Sequence, residues 1–432
     1  LGWKAGVRRE RTVTFTRTSG PSGPMTFDVS WEGNDHGTFS SPLTVTLPLG
    51  TPVDFPVTAT PAGHGVHTAH LTLDHEDVTG YAHRMLAAIV APEPLNAAGG
   101  YTVKKEVKVP RPGMQSLFFD VPEGATALKL ELAWEDRPVS MAVVRPDTRD
   151  QRSGVVQTGG AGVTQVIPDP VPGTWEVRLS DIADTRSFDW EQAKKEEPVP
   201  PTPATLTASA LAVDVEVVAP ELASDNGEAP GTQSHQVWVT NRMASFTGAA
   251  VTTPAGSARR EYRTISAREQ QVFEVEVLPG STALMVRLQD EYADSGDTEG
   301  GDGDVADLDV YVFDCTGDAC SAARVDGDPV GDESVVVHDP APGTWKVVVD
   351  GASVPGDEVG FVYLDVVFNP AYGSVGVIDM PQERASGARW TTTALGWAAQ
   401  AAHATGRRPY LAVVVQGGAG DDTYWVSTGE VR

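Results

Sequence analysis

The chain has 432 residues, room for roughly two to four domains of ordinary size, and its 40 % hydrophobic content excludes a mostly disordered polymer. Forty-four Gly and 32 Pro against 7 % aromatic residues point to many short elements joined by turns. Acidic side chains outnumber basic ones by 59 to 32, a formal charge of −27 that repels phosphate backbones and anionic bilayers and so excludes nucleic acid as a natural partner.

Residues 1–95 read as strands. "RTVTFTRTS", "MTFDVSW", "LTVTLPL" and "HTAHLTLDH" alternate Val, Thr, Leu and Phe with polar residues, and Gly, Pro and Ser clusters separate them. That spacing predicts a β-sandwich of fibronectin or immunoglobulin type. "GHGVHTAHLTLDHED" crowds His64, His67, His70 and His75, which raises the question of a metal site. On a strand, however, His67 shares the face of Ala69 and Leu71 while His70 points the other way, so no three ligands converge.

Further along, the chain repeats itself. "FDVPEGATALKLEL" (Phe119–Leu132) is echoed by "VEVLPGSTALMVRL" (Val275–Leu288), and "PDPVPGTWEV" (Pro168–Val177) by "HDPAPGTWKV" (His338–Val347). "LAVDVEVVAP" (Leu211–Pro220) likewise pairs with "FVYLDVVFNP" (Phe361–Pro370). Three colinear anchors predict a duplicated domain. Within the P-G-T-W phrase, Trp175, Val177 and Leu179 share one face, as do Trp345, Val347 and Val349. On the opposite face Glu176 becomes Lys346 and Arg178 becomes Val348. Kept inner residues and exchanged outer charges make both Trp structural. "KKEEPVPPTPAT" (Lys194–Thr205) reads as a solvated loop inside the first copy, with an interdomain linker as the alternative.

Gly280 follows Gly124 by 156 positions and Gly343 follows Gly173 by 170, so the second copy carries 14 extra residues between these anchors. They fall in "DEYADSGDTEGGDGDVADLD", an acidic stretch among glycines. Ca²⁺ takes six to eight oxygens on an adaptable backbone. Asp302, Asp304, Asp307 and Asp309 are therefore the candidate calcium ligands, although the spacing is not that of an EF-hand and a solvated acidic loop is the alternative. The two cysteines, Cys315 and Cys320, stand five apart in "DCTGDAC". They read either as a small disulfide loop, which implies an oxidising compartment, or as two unpaired thiols; zinc would need two more ligands that are not nearby. The Ala-rich stretch around Thr392–Thr405 is the one convincing helical segment, though "RWTTTALGW" also fits a strand.

No apolar run is long enough to span a bilayer. The chain opens at Leu1 without a Met or a signal-like segment, which reads as a piece cut or processed from something longer. No G-x-S-x-G, P-loop or Rossmann pattern is present.

"ADLDVYVFD…VVVHDPAPGTWKVVVDG" resembles the bacterial pre-peptidase C-terminal domain, a small β-sandwich or jelly roll appended to secreted proteases. Asp307, Leu308 and Asp309 match its D-L-D strand, and Pro342 to Trp345 its P-G-T-W strand. The first copy keeps P-G-T-W but has "SMAVVRPD" for the acidic strand. The opening segment, with "GVHTAHLTLDHED" as its most specific phrase, is similar to the sandwich that follows the catalytic domain in large bacterial subtilisin-like serine proteases. The tail is similar to small terminal domains of such proteins. Protease machinery itself is missing: Asp294-Ser295-Gly296 and His36-Gly37-Thr38 come in the wrong order and lack a G-T-S partner.

These resemblances imply an all-β chain of tandem sandwiches: a fibronectin- or Ig-like domain over residues 1–98, two pre-peptidase C-terminal-like copies over 99–222 and 236–371, and a small β-rich domain over 372–432. They imply a non-catalytic accessory region of a secreted subtilisin-like serine endopeptidase, whose partners are the catalytic domain, placed N-terminal to Leu1, and protein or peptide substrate. A stand-alone extracellular module for carbohydrate, cell wall or matrix protein is the alternative, and an inert spacer a weaker third.

Overall fold

The computed structural model describes residues 2–110, 113–135, 137–146, 151–155, 162–168, 170–181, 200–218, 233–290, 306–317, 319–326, 333–354, 356–398, 403–418 and 424–431. Among these every regular element but three short 3₁₀ turns is a strand. The chain divides into two compact units: Leu1–Gly124 with Lys129–Gln165 and Val171–Ala210, and Ala125–Leu128 with Val166–Pro170 and Leu211–Arg432.

The first seven strands are β1 (Arg9–Thr16), β2 (Met25–Glu32), β3 (Phe39–Ser40), β4 (Thr44–Leu47), β5 (Pro52–Ala59), β6 (Gly65–Asp74) and β7 (His83–Ala91). They form two antiparallel sheets, β1-β5-β3 and β4-β2-β6-β7. The alternation read in the sequence is what closes them: Phe15, Phe27, Val29, Phe55, Leu71 and Leu73 turn inward into one core. Arg17, buried at the end of β1, donates to the carbonyls of Leu47, Ser19, Pro21 and Gly23, which pins the "TSGPSGP" turn.

Next come β8 (Glu93–Pro94), β9 (Thr102–Val109), β10 (Met114–Val121), β11 (Ala127–Trp134), β12 (Val139–Val144), β13 (Gln151–Val155), β14 (Gly162–Pro168), β15 (Gly173–Asp181) and β16 (Thr202–Leu211). Their sheets run β13-β12-β15-β10-β8 and β14-β11-β16-β9. The remaining strands begin with β17 (Val213–Val218), β18 (Gln233–Asn241), β19 (Phe246–Val251), β20 (Thr253–Pro254), β21 (Gly256–Ile265), β22 (Gln270–Val277), β23 (Ala283–Asp290) and β24 (Asp307–Asp314). They continue through β25 (Ser321–Asp326), β26 (Ser334–His338), β27 (Gly343–Ser353), β28 (Val359–Phe368) and β29 (Gly373–Val377). The last four are β30 (Gln382–Arg384), β31 (Arg389–Ala398), β32 (Arg408–Gly417) and β33 (Tyr424–Val431).

Strands β21 to β28 repeat the topology of β9 to β16. One sheet runs β25-β24-β27-β22 and the other β26-β23-β28-β21, the same order taken by the earlier eight. Two sets of four strands wound in this order are a jelly roll, although β8 extends one set and β32 another. The P-G-T-W strand is central in both copies. Trp175 is 1 % exposed and donates its indole N–H to the Val171 carbonyl at 2.9 Å; Trp345 is 2 % exposed and donates to Ala341 at 2.8 Å. Even the preceding glycines agree, with φ +129° at Gly173 and +130° at Gly343. The closing strands also match, but at a shifted place. β28 corresponds to β16, not to the "LAVDVEVVAP" stretch, because β16 pairs with β11 and β9 as β28 pairs with β23 and β21. β17 instead joins β18 in another sheet. The last residues of the charged Lys194–Thr205 stretch thus belong to β16, and its first six lie outside the described residues.

In the tail the strand reading of "RWTTTALGW" holds over the helical one, and residues 399–402 of the Ala-rich stretch lie outside the described residues. Arg389–Ala398 is β31, with β18 on one side and β29 on the other. Ladder pairing on both edges, with Thr392 and Ala394 turned inward, overrides the helix preference of its alanines. Sheet β17-β18-β31-β29-β20 and the long sheet β26-β23-β28-β21-β32-β19-β30, with β33 on β32, both mix strands from before and after residue 372. The expected boundary at 372 therefore falls inside sheets.

Among the buried charged groups of this second unit, Asp365 has no accessible surface at all. It stands on β28 among Phe361, Tyr363 and Val367, and is matched by two guanidinium groups: Arg259 at 2.8 Å and Arg407 at 2.5 Å. Arg259 also lies over the stacked Phe273 and Tyr363 rings. Burying a carboxylate requires such pairing, and removing either side would strand the other.

The close approach at Gly343 gives a direct test. A Cβ there would meet the Thr316 methyl at 3.0 Å on a backbone with φ +130°, whereas at Gly280 (φ +81°) it would meet nothing within 4 Å. Guanidinium unfolding should show Gly343→Ala costing about 3 kcal/mol, against about 1 kcal/mol for Gly280→Ala. Equal costs would mean that the turn, and not the contact, sets the requirement.

Candidate functional site

The sequence-derived residues separate in space or fall outside the description. Asp302 and Asp304 lie outside the described residues, as does the Asp294–Gly296 fragment. Asp307 and Asp309 begin β24, two apart and on its outer face. Asp309 sits directly across the ladder from Asp350, and the Tyr311 hydroxyl donates to its Oδ2 at 3.0 Å. Among the described residues no group of three or more His, Cys, Asp or Glu could hold a metal ion. Cys315 and Cys320 are joined as a disulfide, with Cα atoms 4.1 Å apart, in the turn from β24 to β25. Hydrogen bonds from the Thr316 hydroxyl and N–H hold the neighbouring Asp314 carboxyl below its usual range.

The histidines of the first sandwich are each absorbed locally. His64 Nδ1 bonds the Pro92 carbonyl at 2.8 Å, and His67 Nε2 bonds the Gly63 carbonyl at 2.9 Å. His75 packs on Phe27, while His70 lies across the ladder from Glu32 and Leu86. His36, in a 3₁₀ turn, has φ +59°. Nothing converges there.

Chemistry-bearing side chains do meet elsewhere, on residues that the sequence reading passed over. Ser257, inaccessible on β21, lies 2.9 Å from His403 Nδ1. Arg407 Nε donates to the same Oγ at 3.2 Å, and Arg407 Nη2 reaches the Ser257 carbonyl and Asp365. Serine, histidine and aspartate in one cluster invite comparison with a nucleophile triad. The geometry refuses it. Asp365 engages the two arginines, not the imidazole, so among the described residues no carboxylate orients or stabilises a His403 cation. Arg407 Nε can only donate, so the Ser257 hydroxyl accepts from it and turns its own proton to His403 Nδ1. The imidazole is then the neutral tautomer with its proton on Nε2, an atom that is buried and has no partner among the described residues. Burial first, and the Arg407 charge second, hold His403 below its ordinary value. The cluster is a packed polar joint. One sequence signal was available: in "FVYLDVVF" an aspartate interrupts an apolar strand at an inward position, which calls for a buried cation.

No helix of the described residues is long and apolar enough to cross a membrane. Residues 1–91 match the family described as the Ig-like domain in actinomycete serine proteases. The chain is similar to Pyrolysin of Pyrococcus furiosus (strain ATCC 43587 / DSM 3638 / JCM 8422 / Vc1), 23 % identical over 295 residues, which are 67 % of this chain and 18 % of Pyrolysin. Among solved structures, Tripeptidyl Peptidase 2 (TPP II) aligns over 96 % of this chain and 37 % of its own, with 10 % identity and a TM-score of 0.43. The M60 catalytic domain with the CBM51-1 and CBM51-2 domains from Clostridium perfringens ZmpB aligns over 85 % and 55 %, with 8 % identity and a TM-score of 0.17. At those TM-scores neither likeness bears on fold or function. The matched part of this chain thus spans 18 % of Pyrolysin, and its β1–β7 sandwich is similar to the Ig-like domain in actinomycete serine proteases.

Proposed function

We propose that this chain is the non-catalytic accessory region of a secreted subtilisin-like serine endopeptidase, that it stabilises the catalytic domain, and that it helps engage protein or peptide substrate. The observation that carries the reading is the match of residues 1–91 to a domain found in serine proteases. The Ser257–His403 joint favours the non-catalytic side of it, because its serine is inaccessible and its imidazole has no acid partner among the described residues. The disulfide favours an oxidising, extracellular setting. The test is to produce the parent protein with and without these residues. Deletion is expected to lower the melting temperature of the catalytic domain and to slow cleavage of a whole protein more than of a short chromogenic peptide. A parent reading frame without a serine protease domain would sink the proposal, as would a deletion that changes neither quantity.

Calcium at the start of β24 remains part of the proposal. Asp309 opposite Asp350 is a like-charge cross-strand pair, which a divalent cation relieves, and Asp302, Asp304 and Asp307 are the neighbouring carboxylates in sequence. Thermal melting in calcium should then exceed melting in chelator, and Asp309→Asn should shrink the difference. Identical melting temperatures in calcium and chelator would remove the metal from the account.

A further inference from the structure

His403 has contacts beyond its place in the inert Ser257 cluster. It lies four residues before Arg407, where the chain comes out of β31 and turns into β32. Its ring stacks on Tyr372 with centroids 5.0 Å apart and planes 15° from parallel, and its Nδ1 takes the Ser257 proton. The joint therefore ties together three places: β21 through Ser257, the Pro370–Tyr372 turn through Tyr372, and the lead into β32 through Arg407. Immediately beyond it, Gly256–Ala258 of β21 pairs with Arg408–Tyr410 of β32, the three-residue ladder that joins these two strands.

The surroundings decide what a proton would do here. From β21 the imidazole meets Ser257, from the Pro370–Tyr372 turn it meets Tyr372, and from its own segment it feels the Arg407 charge. Behind these, Arg259 of β21 and Asp365 and Tyr363 of β28 are joined to the cluster through Arg407 and Asp365. Burial pushes the Tyr363 hydroxyl well up, so that group stays neutral. The one carboxylate of the cluster among the described residues, Asp365, already serves two guanidinium groups, which leaves the cluster with an excess positive charge before His403 titrates. Among the described residues nothing stands by to neutralise a third cation. Protonation of Nδ1 would also remove the acceptor of the Ser257 hydroxyl, while Nε2 is a donor without a partner among the described residues already.

We propose that His403 is an acid-released latch, which in its neutral form fastens the lead into β32 against β21 and which lets go when it is protonated. The sign follows from linkage. Burial and Arg407 hold the closed-state value below the ordinary 6.5, so the open state binds the proton more readily. The latch is at full strength above 6.5, weakens as pH falls from there through the depressed closed-state value, and is weakest below it. Opening frees residues 403–407 from Ser257 and Tyr372 and exposes the end of the β21–β32 ladder. The inference does not depend on the protease reading, since the isolated chain contains every group involved.

Amide hydrogen exchange of the 432-residue chain, corrected for intrinsic rates, tests it. Between about pH 7.5 and about pH 5, protection of the amides around Arg407 to Tyr410 should fall severalfold, while protection in β6 should not. His403→Asn keeps an acceptor near the Nδ1 position and cannot be protonated in this range, so it should abolish the fall. In parallel, the imidazole in contact with the Tyr372 ring should titrate below 6.5 in the unaltered chain, a reading that needs no variant. Titration at or above 6.5, or a loss of protection that persists in His403→Asn, would overturn the proposal.

Discussion

A buried indole must set its N–H on an acceptor, and in both jelly rolls that acceptor is the carbonyl four residues earlier, across a Pro-Gly turn. This one requirement fixes much else. It needs a backbone conformation at Gly173 and Gly343 that side-chain-bearing residues rarely adopt, and it leaves Trp175 and Trp345 pointing between the sheets. Period-two alternation then sends Val177 and Leu179, or Val347 and Val349, to the same side. Each P-G-T-W strand is flanked on both edges, by β10 and β12 in one copy and by β22 and β24 in the other. A turn and a tryptophan thereby position a four-stranded sheet.

The two copies diverge where that requirement does not reach. Outer positions of the same strand hold the Glu176–Arg178 pair in one copy and Lys346 with Val348 in the other. Copy-specific chemistry sits at strand ends and turns: the disulfide after β24, the Asp309–Asp350 apposition, and the Asp365 cluster on β28. A scaffold of this sort tolerates new surface chemistry without new architecture, which is why the fold alone does not name a ligand.

Much of the architecture was legible because it is written in local patterns. Alternation marked the strands of residues 1–95, and the repeated P-G-T-W with its Gly124 and Gly280 counterparts marked the duplication. The third anchor misled by about one strand's length, since two apolar β runs with similar residues differ only in their partners, and partners are non-local. β16 and β17 could not be told apart without knowing that one pairs with β9 and the other with β18. In the tail, of the helix and the strand that the sequence left open, the strand is what forms, because strands on both sides claim the segment. The Ser257–His403–Arg407–Asp365 joint was invisible as a unit because its members span 150 residues and come from three strands or their approaches. Asp365 alone carried a local sign, an acidic residue inside an apolar strand.

That joint also bears on what the chain does. It gathers the side chains of a hydrolytic site and arranges them so that none can act: the serine is inaccessible, the acid is committed to arginines, and the imidazole is hemmed in by positive charge. The proposed accessory role places catalysis elsewhere than in this cluster. Labelling of the isolated chain with a fluorophosphonate probe, read by mass spectrometry of the digested product, tests that claim most directly. The account predicts that no serine is modified, Ser257 included; a stoichiometric adduct on any serine would contradict it.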